Sequence, residues 1–182
     1  MMGGSVTARA LKAAADATPA DPPPADPPVR FAGYAAIFDA VDKGGDVIRR
    51  GAFADSLARR RAIPLLWQHD SASPIGTVDL IAEDKRGLRL VARIDGRGSA
   101  AARAAALVAD GRLTGLSFGY RINAARGLPG GVRELSALDL VEVSLVPFPM
   151  QPAARVLAVE SGPAINPNLN PIPGPTPNPE LV

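Results

Sequence analysis

Residues 115–120 read GLSFGY, and the first five spell G-x-S-x-G around Ser117. A serine hydroxyl is a weak nucleophile at neutral pH and needs a base within hydrogen-bond reach. Histidine is the side chain best suited by pKa to be that base, and the chain has one, His69, in LLWQHD. A third group should orient the imidazole and stabilise the imidazolium. Two carboxylates are placed for it, Asp139 and Glu142, both within ALDLVEVSLV. Ser117, His69 and a carboxylate would together perform acyl transfer. The nucleophile elbow of α/β-hydrolases requires the order serine, acid, histidine. No histidine follows Ser117, so that fold is excluded and the G-x-S-x-G match is a coincidence of spelling.

Read as a strand, GLSFGY puts Leu116, Phe118 and Tyr120 on one face and Gly115, Ser117 and Gly119 on the other. The first face is expected to be buried. The second presents one hydroxyl between two residues without side chains, and Gly115 and Gly119 are expected to open a groove for an extended substrate. Asp70 is adjacent to His69, but consecutive strand residues point apart. Each candidate also has a plainer reading. A serine between glycines can be a tight packing point, a lone histidine an idle surface residue, and a strand carboxylate an edge residue facing water.

The elements that would hold these residues lie in the middle of the chain. Of 19 prolines, six fall in residues 1–30 and seven in 161–182. The ends therefore read as a disordered Ala/Pro-rich extension (1–30) and a disordered Pro/Asn-rich tail (160–182). Residues 31–159 remain as one domain of about 130 residues, enough for a single core. Cysteine is absent, which excludes disulfides, thiolate metal sites and a cysteine nucleophile. With one histidine, a zinc site of the usual kind also lacks ligands, and no metal or cofactor is expected. Arg59, Arg60 and Arg61 form the one dense basic run and read as a solvated helix end. The chain has eight aromatics, counting five Phe, two Tyr and one Trp. That is too few for a basic, aromatic nucleic-acid surface. No apolar run of about 20 residues suggests a membrane span, and the N-terminus lacks the apolar stretch of a signal peptide.

The pattern between the ends is mostly β. Strands are expected over 31–38, 63–68, 74–83, 87–95, 113–122 and 132–146, the last with a break near Ser136. In 87–95, Leu88, Leu90, Ala92 and Ile94 face one way and Arg89 and Arg93 the other. A short amphipathic helix is expected over 51–60, with Phe53 and Leu57 four apart. A better one covers 99–111, with Ser99 as N-cap and Gly111 as its stop. The fold class is mainly β with helices (α+β), a small, mostly antiparallel β-barrel or curled sheet with helices packed on it.

Five ordered blocks carry a resemblance. GYAAIFD (33–39), GDVIRRGAF (45–53), LLWQHDSASPIG (65–76), GRLTGLSFGY (111–120) and LDLVEVSLVPFPMQPAA (138–154) resemble the signature blocks of the tailed-phage prohead protease family. The resemblance covers about 31–156. It implies an assemblin-like fold and a serine endopeptidase that matures procapsids by cleaving scaffold or the scaffolding part of the major capsid protein, with self-processing. It places the catalytic histidine on His69 and the catalytic serine on Ser117, and its EVSLV block favours Glu142 over Asp139. Arg121 and backbone N–H groups near Ser117 are candidate oxyanion donors. The family often has Asn after the last Pro-x block, where this chain has Met150-Gln151. The resemblance further implies a homodimer acting in the bacterial host cytoplasm, inside the procapsid, without nucleic acid or membrane. The alternative is a catalytically inactive capsid-assembly or scaffold module of the same fold; a small-molecule esterase is a third reading.

Overall fold

The computed structural model describes residues 28–59, 61–95 and 98–161. Most of the two Pro-rich ends, and Arg60 of the basic run, lie outside the described residues. In chain order the elements are β1 (Val29–Ile37), β2 (Asp46–Ile48), α1 (Ala54–Ala58), β3 (Pro64–Trp67), β4 (Asp70–Glu83), β5 (Gly87–Ile94), α2 (Ser99–Ala109), β6 (Leu116–Gly127), β7 (Arg133–Leu145) and β8 (Val156–Ser161). β1 and β8 each run slightly past the expected domain edges, because Val29 and Arg30 pair with Ser161 and Glu160.

Alternation sets the strands. Leu88, Leu90, Ala92 and Ile94 of β5 are all buried, while Arg89 and Arg93 are half-buried on the other face. The β4–β5 hairpin turns where expected, across Asp84-Lys85-Arg86. Asp84 fixes that turn by accepting from the backbone N–H of Arg86 (2.7 Å) and Gly87 (3.0 Å), the usual reason for an aspartate there. In α2, Ala101, Ala104 and Val108 form a buried stripe at helical spacing. The N-cap is Gly98 rather than Ser99, with no side-chain cap. The expected helix over 51–60 is only the five residues of α1. The chain before it is held instead by Glu83, which accepts from Gly51 N–H (2.7 Å) and Phe53 N–H (2.8 Å). Phe53 is fully buried and meets Phe118 edge-on at 5.3 Å between centroids.

The eight strands form one mixed sheet. β7 is its hub. β6 pairs along one edge of β7, antiparallel. The other edge is shared by β2 at one end and β3 at the other, both parallel to β7. From β3 the sheet continues through β4, β5, β1 and β8, each pair antiparallel. The expected antiparallel barrel is therefore corrected to a curled mixed sheet. Its two ends, β6 and β8, are joined by the isolated bridge Gly115–Arg155 and not by a ladder. The break expected near Ser136 is a bulge, since Ala124 and Ala125 pair with Ala137 and Leu135 and leave Ser136 unpaired. The core packs inside the curl: Phe31, Leu65, Leu88, Leu90, Leu116, Leu138 and Leu145 are closed to solvent. Each such side chain contributes about 1.5–3 kcal/mol through removal from water. No helix among the described residues is long and apolar enough to cross a membrane.

Gln151, in the loop after β7, has a structural role. Its buried amide accepts from Ile37 N–H (2.6 Å) and donates to the carbonyls of Ile37 (3.0 Å) and Ala40 (3.3 Å). It thus ties the loop after β7 to the end of β1. Gln151→Ala is expected to cost about 1–3 kcal/mol, the scale of leaving buried backbone groups unpaired. Urea unfolding should show a lower midpoint with an unchanged slope.

Candidate active site

β7 carries the acidic side of the site, and its register decides what lies beside it. Ser117 pairs with Ser144, and Gly119 with Glu142. Residues directly opposite across an antiparallel pair share a face, with Cβ atoms about 4.5–5.5 Å apart. Ser117, Ser144 and Glu142 therefore project from one side of the sheet. On the other side Leu116 is buried and Phe118 packs on Phe53, as the alternation of GLSFGY requires.

His69 arrives from the opposite edge of β7. β3 runs parallel to β7 with Leu66 beside Ser144 and Trp67 beside Leu145. The chain then reverses in two residues, because Trp67 pairs with Asp70 at the start of β4. Those two residues, Gln68 and His69, have φ of 51° and 63°. Positive φ at both central positions is the signature of a type I′ hairpin turn, which normally recruits Gly, Asn or Asp. For other residues the left-handed region costs about 1–2 kcal/mol each. Two hydrogen bonds offset that cost, from Gln68 N–H to Leu145 O (3.1 Å) and from His69 N–H to Ser144 Oγ (3.0 Å).

The turn puts the imidazole on Glu142, with His69 Nδ1 2.6 Å from Glu142 Oε1. The other carboxylate oxygen, Oε2, accepts from the Ser144 hydroxyl at 2.6 Å. The hydrogen bond to Glu142, helped by its negative charge, holds the His69 pKa above the ordinary 6.5, against the opposing pull of partial burial. A carboxylate at Nδ1 keeps the neutral ring's proton there and leaves the lone pair on Nε2, the atom a serine hydroxyl would address. The hydrogen bonds of His69 go to Glu142 and Ser144; none joins it to Ser117. Ser117 is half-buried, and the Ser144 between them is closed to solvent.

The other candidates sort by geometry. Asp139 lies with Arg59 and Ser56 Oγ (3.2 Å), far from the imidazole in its bonding. Its pKa is lowered, chiefly by the Arg59 hydrogen bond. Asp70 is turned onto Ser73 Oγ (2.6 Å) and Ala72 N–H (2.9 Å). Arg121 is exposed and pairs with Asp139, three residues of β7 from Glu142. At both glycines the space a Cβ would take is already filled by the protein itself. A Cβ at Gly115 would lie 2.2 Å from Val146 O, and one at Gly119 2.6 Å from Glu142 Oε1 and 3.0 Å from its Cγ. Gly119 leaves room for the protein's own carboxylate, and Gly115 for its own backbone. Ser144 was missed in the sequence, where its one signal was its position two residues after Glu142. Among the described residues no group of three His, Cys, Asp or Glu side chains could hold a metal ion.

Gly119→Ala tests that clearance. The Cβ would push the flexible end of Glu142 away, so the fold survives while the imidazole loses its partner. The His69 titration should fall back toward the ordinary histidine range. Because His69 is the single histidine, its imidazole NMR signals report this without ambiguity.

The structure thus brings His69 onto the buried Glu142 carboxylate, on the side of the mixed sheet from which Ser117 projects. The chain matches the model of the Caudovirus prohead serine protease family over residues 21–165 and belongs to that family. It is 31% identical over 135 residues to the prohead protease of Enterobacteria phage HK97, an alignment spanning 72% of this chain and 60% of that one. The chain thus spans about 60% of the length of that relative. Its fold is similar to that of the bacteriophage T4 capsid assembly protease, with a TM-score of 0.52 at 11% identity over 64% of this chain and 81% of that one. Varicella-zoster virus protease aligns at 18% identity with a TM-score of 0.48, covering 71% of this chain and 63% of its own.

Proposed function

We propose that this chain is a serine endopeptidase that matures phage-type procapsids, cleaving the scaffold or the scaffolding part of the major capsid protein and processing itself. The observation that carries the proposal is the 2.6 Å contact of His69 Nδ1 with Glu142, on the face from which Ser117 projects. His69 Nε2 takes the Ser117 proton as Oγ attacks the scissile carbonyl. The resulting imidazolium is stabilised by Glu142 and then protonates the leaving amine. Water then attacks the acyl carbonyl as His69 takes its proton, and His69 returns that proton to Ser117 Oγ as the acid product leaves. General-base assistance of this kind is worth about 10²–10⁴ in rate. His69 and Ser117 are not in hydrogen-bond contact before substrate binds, which is usual for a site that tightens in its complex. The domain over 31–159 carries this chemistry, and the Pro-rich ends serve to tether it inside the shell or are trimmed in self-cleavage. The enzyme works as a homodimer within the procapsid in the host cytoplasm, and needs neither nucleic acid nor membrane.

Intact-mass measurement tests the reading. Purified wild type and Ser117→Ala are incubated alone and with the cognate capsid protein. Fragments produced by the wild type and not by Ser117→Ala are the expected result. Uncut capsid protein with both would identify an inactive assembly module instead. Cleavage rate per enzyme should also fall on dilution through the dimer dissociation range, and a flat rate would remove the dimer.

A further inference from the structure

We propose that Ser144 is a positioning residue of this centre, its hydroxyl fixing both the Glu142 carboxylate and the backbone of His69. The proposal rests on the reading of His69 as the base. A hydroxyl has one proton to donate and lone pairs to accept with. Ser144 uses both: it donates to Glu142 Oε2 at 2.6 Å and accepts from His69 N–H at 3.0 Å. One atom thus connects the acid to the residue it serves by a path separate from the imidazole contact.

Two features make that link necessary. Glu142 is 7% exposed and Ser144 is 0% exposed, so the second bond to Oε2 is made inside the protein by a hydroxyl closed to solvent. With only Oε1 engaged, the carboxylate would be free to rotate about its terminal torsion to find another partner for Oε2. His69, for its part, sits in the left-handed region with φ of 63°, where its N–H needs an acceptor off the hairpin ladder. The Ser144 hydroxyl supplies one from β7. The same oxygen holds both ends of the pair whose separation sets the base. Among the described residues, Glu142 is the charged group that shifts the ring's titration. β7 contributes Glu142, and β4 contributes Asp70, which is turned onto Ser73 and Ala72. The neighbouring strand residues Trp67 of β3 and Ser117 and Gly119 of β6 carry no charge.

The experiment separates a positioning role from a packing one. His69 imidazole NMR is recorded against pH in a Ser117→Ala background, with and without Ser144→Ala. By letting the carboxylate turn away from Nδ1, loss of the hydroxyl is expected to weaken the His69–Glu142 contact and lower the His69 midpoint by about one pH unit. With Ser117 intact, Ser144→Ala should lower kcat about 10–100-fold, as a small misplacement does, with KM unchanged and the acidic limb of the pH profile moved down alike. Ser144→Thr, which restores a hydroxyl, should recover the midpoint. If Ser144→Ala does not fold, Ser144→Cys keeps the volume with a weak donor, and the same readings apply to it. An unchanged midpoint in a folded variant overturns the proposal, whatever its stability. A lowered midpoint in a chain that cleaves no capsid protein upholds the positioning role while the endopeptidase reading fails.

Discussion

His69→Ala and Ser117→Ala should each abolish cleavage about as completely as the double substitution. Nucleophile and base act as one unit, so removing either leaves nothing for the other to do. The expected loss is about 10⁴–10⁶-fold for each single variant, with little further loss in the double. Additive losses would mean that the two act on separate steps, and the shared centre would be wrong. Both side chains are partly exposed, so neither alanine opens a core cavity. Thermal unfolding should therefore stay within a few degrees of wild type. Timed cleavage of the capsid protein, with trace activity read by mass, gives the rates.

Glu142→Gln carries the second large effect. The amide nearly matches the carboxylate in shape but has no charge to set against the imidazolium that forms on proton transfer. The expected fall in kcat is about 10⁴-fold, as when the orienting carboxylate of a triad is neutralised. The pH dependence gives the sign. His69 works as a base only when neutral, and Glu142 raises its pKa above 6.5. Wild-type kcat/KM should therefore rise with pH through a midpoint above that value, and residual activity of Glu142→Gln through a lower one. Stability runs the other way. A histidine whose pKa is raised by folding contributes stability fully below its unfolded pKa, and that contribution disappears as pH rises through the folded one. Wild type should thus lose a small increment of stability between roughly pH 6.5 and the raised midpoint, in a window set by the unperturbed histidine value. Glu142→Gln should show no such step. An acidic limb at the same pH in both proteins would show that the 2.6 Å contact does not set the base.

The sequence alone singled out the candidate residues of the site. A single histidine left one candidate base, and its place before Ser117 excluded the nucleophile elbow. Period-two alternation placed Leu88, Leu90, Ala92 and Ile94 in the core, because the pleat makes that pattern local. Five ordered blocks pointed to the family that the full comparison then showed. What remained hidden depends on register between strands far apart in the chain. Asp139 and Glu142 look alike in ALDLVEVSLV, and only the pairing of β7 gives one to Arg59 and the other to His69. The two glycines read alike until Gly119 is set opposite Glu142, whose carboxylate lies where a Cβ would be. Ser144 carries no signal of its own, since a buried serine in a strand becomes informative only when its neighbours are known. The strained turn at Gln68-His69 has no turn residue to announce it; tertiary hydrogen bonds from Leu145 and Ser144 hold it. Composition and local period are written residue by residue, whereas cross-strand register is a property of the closed packing. The candidate residues were therefore legible before the geometry that organises them.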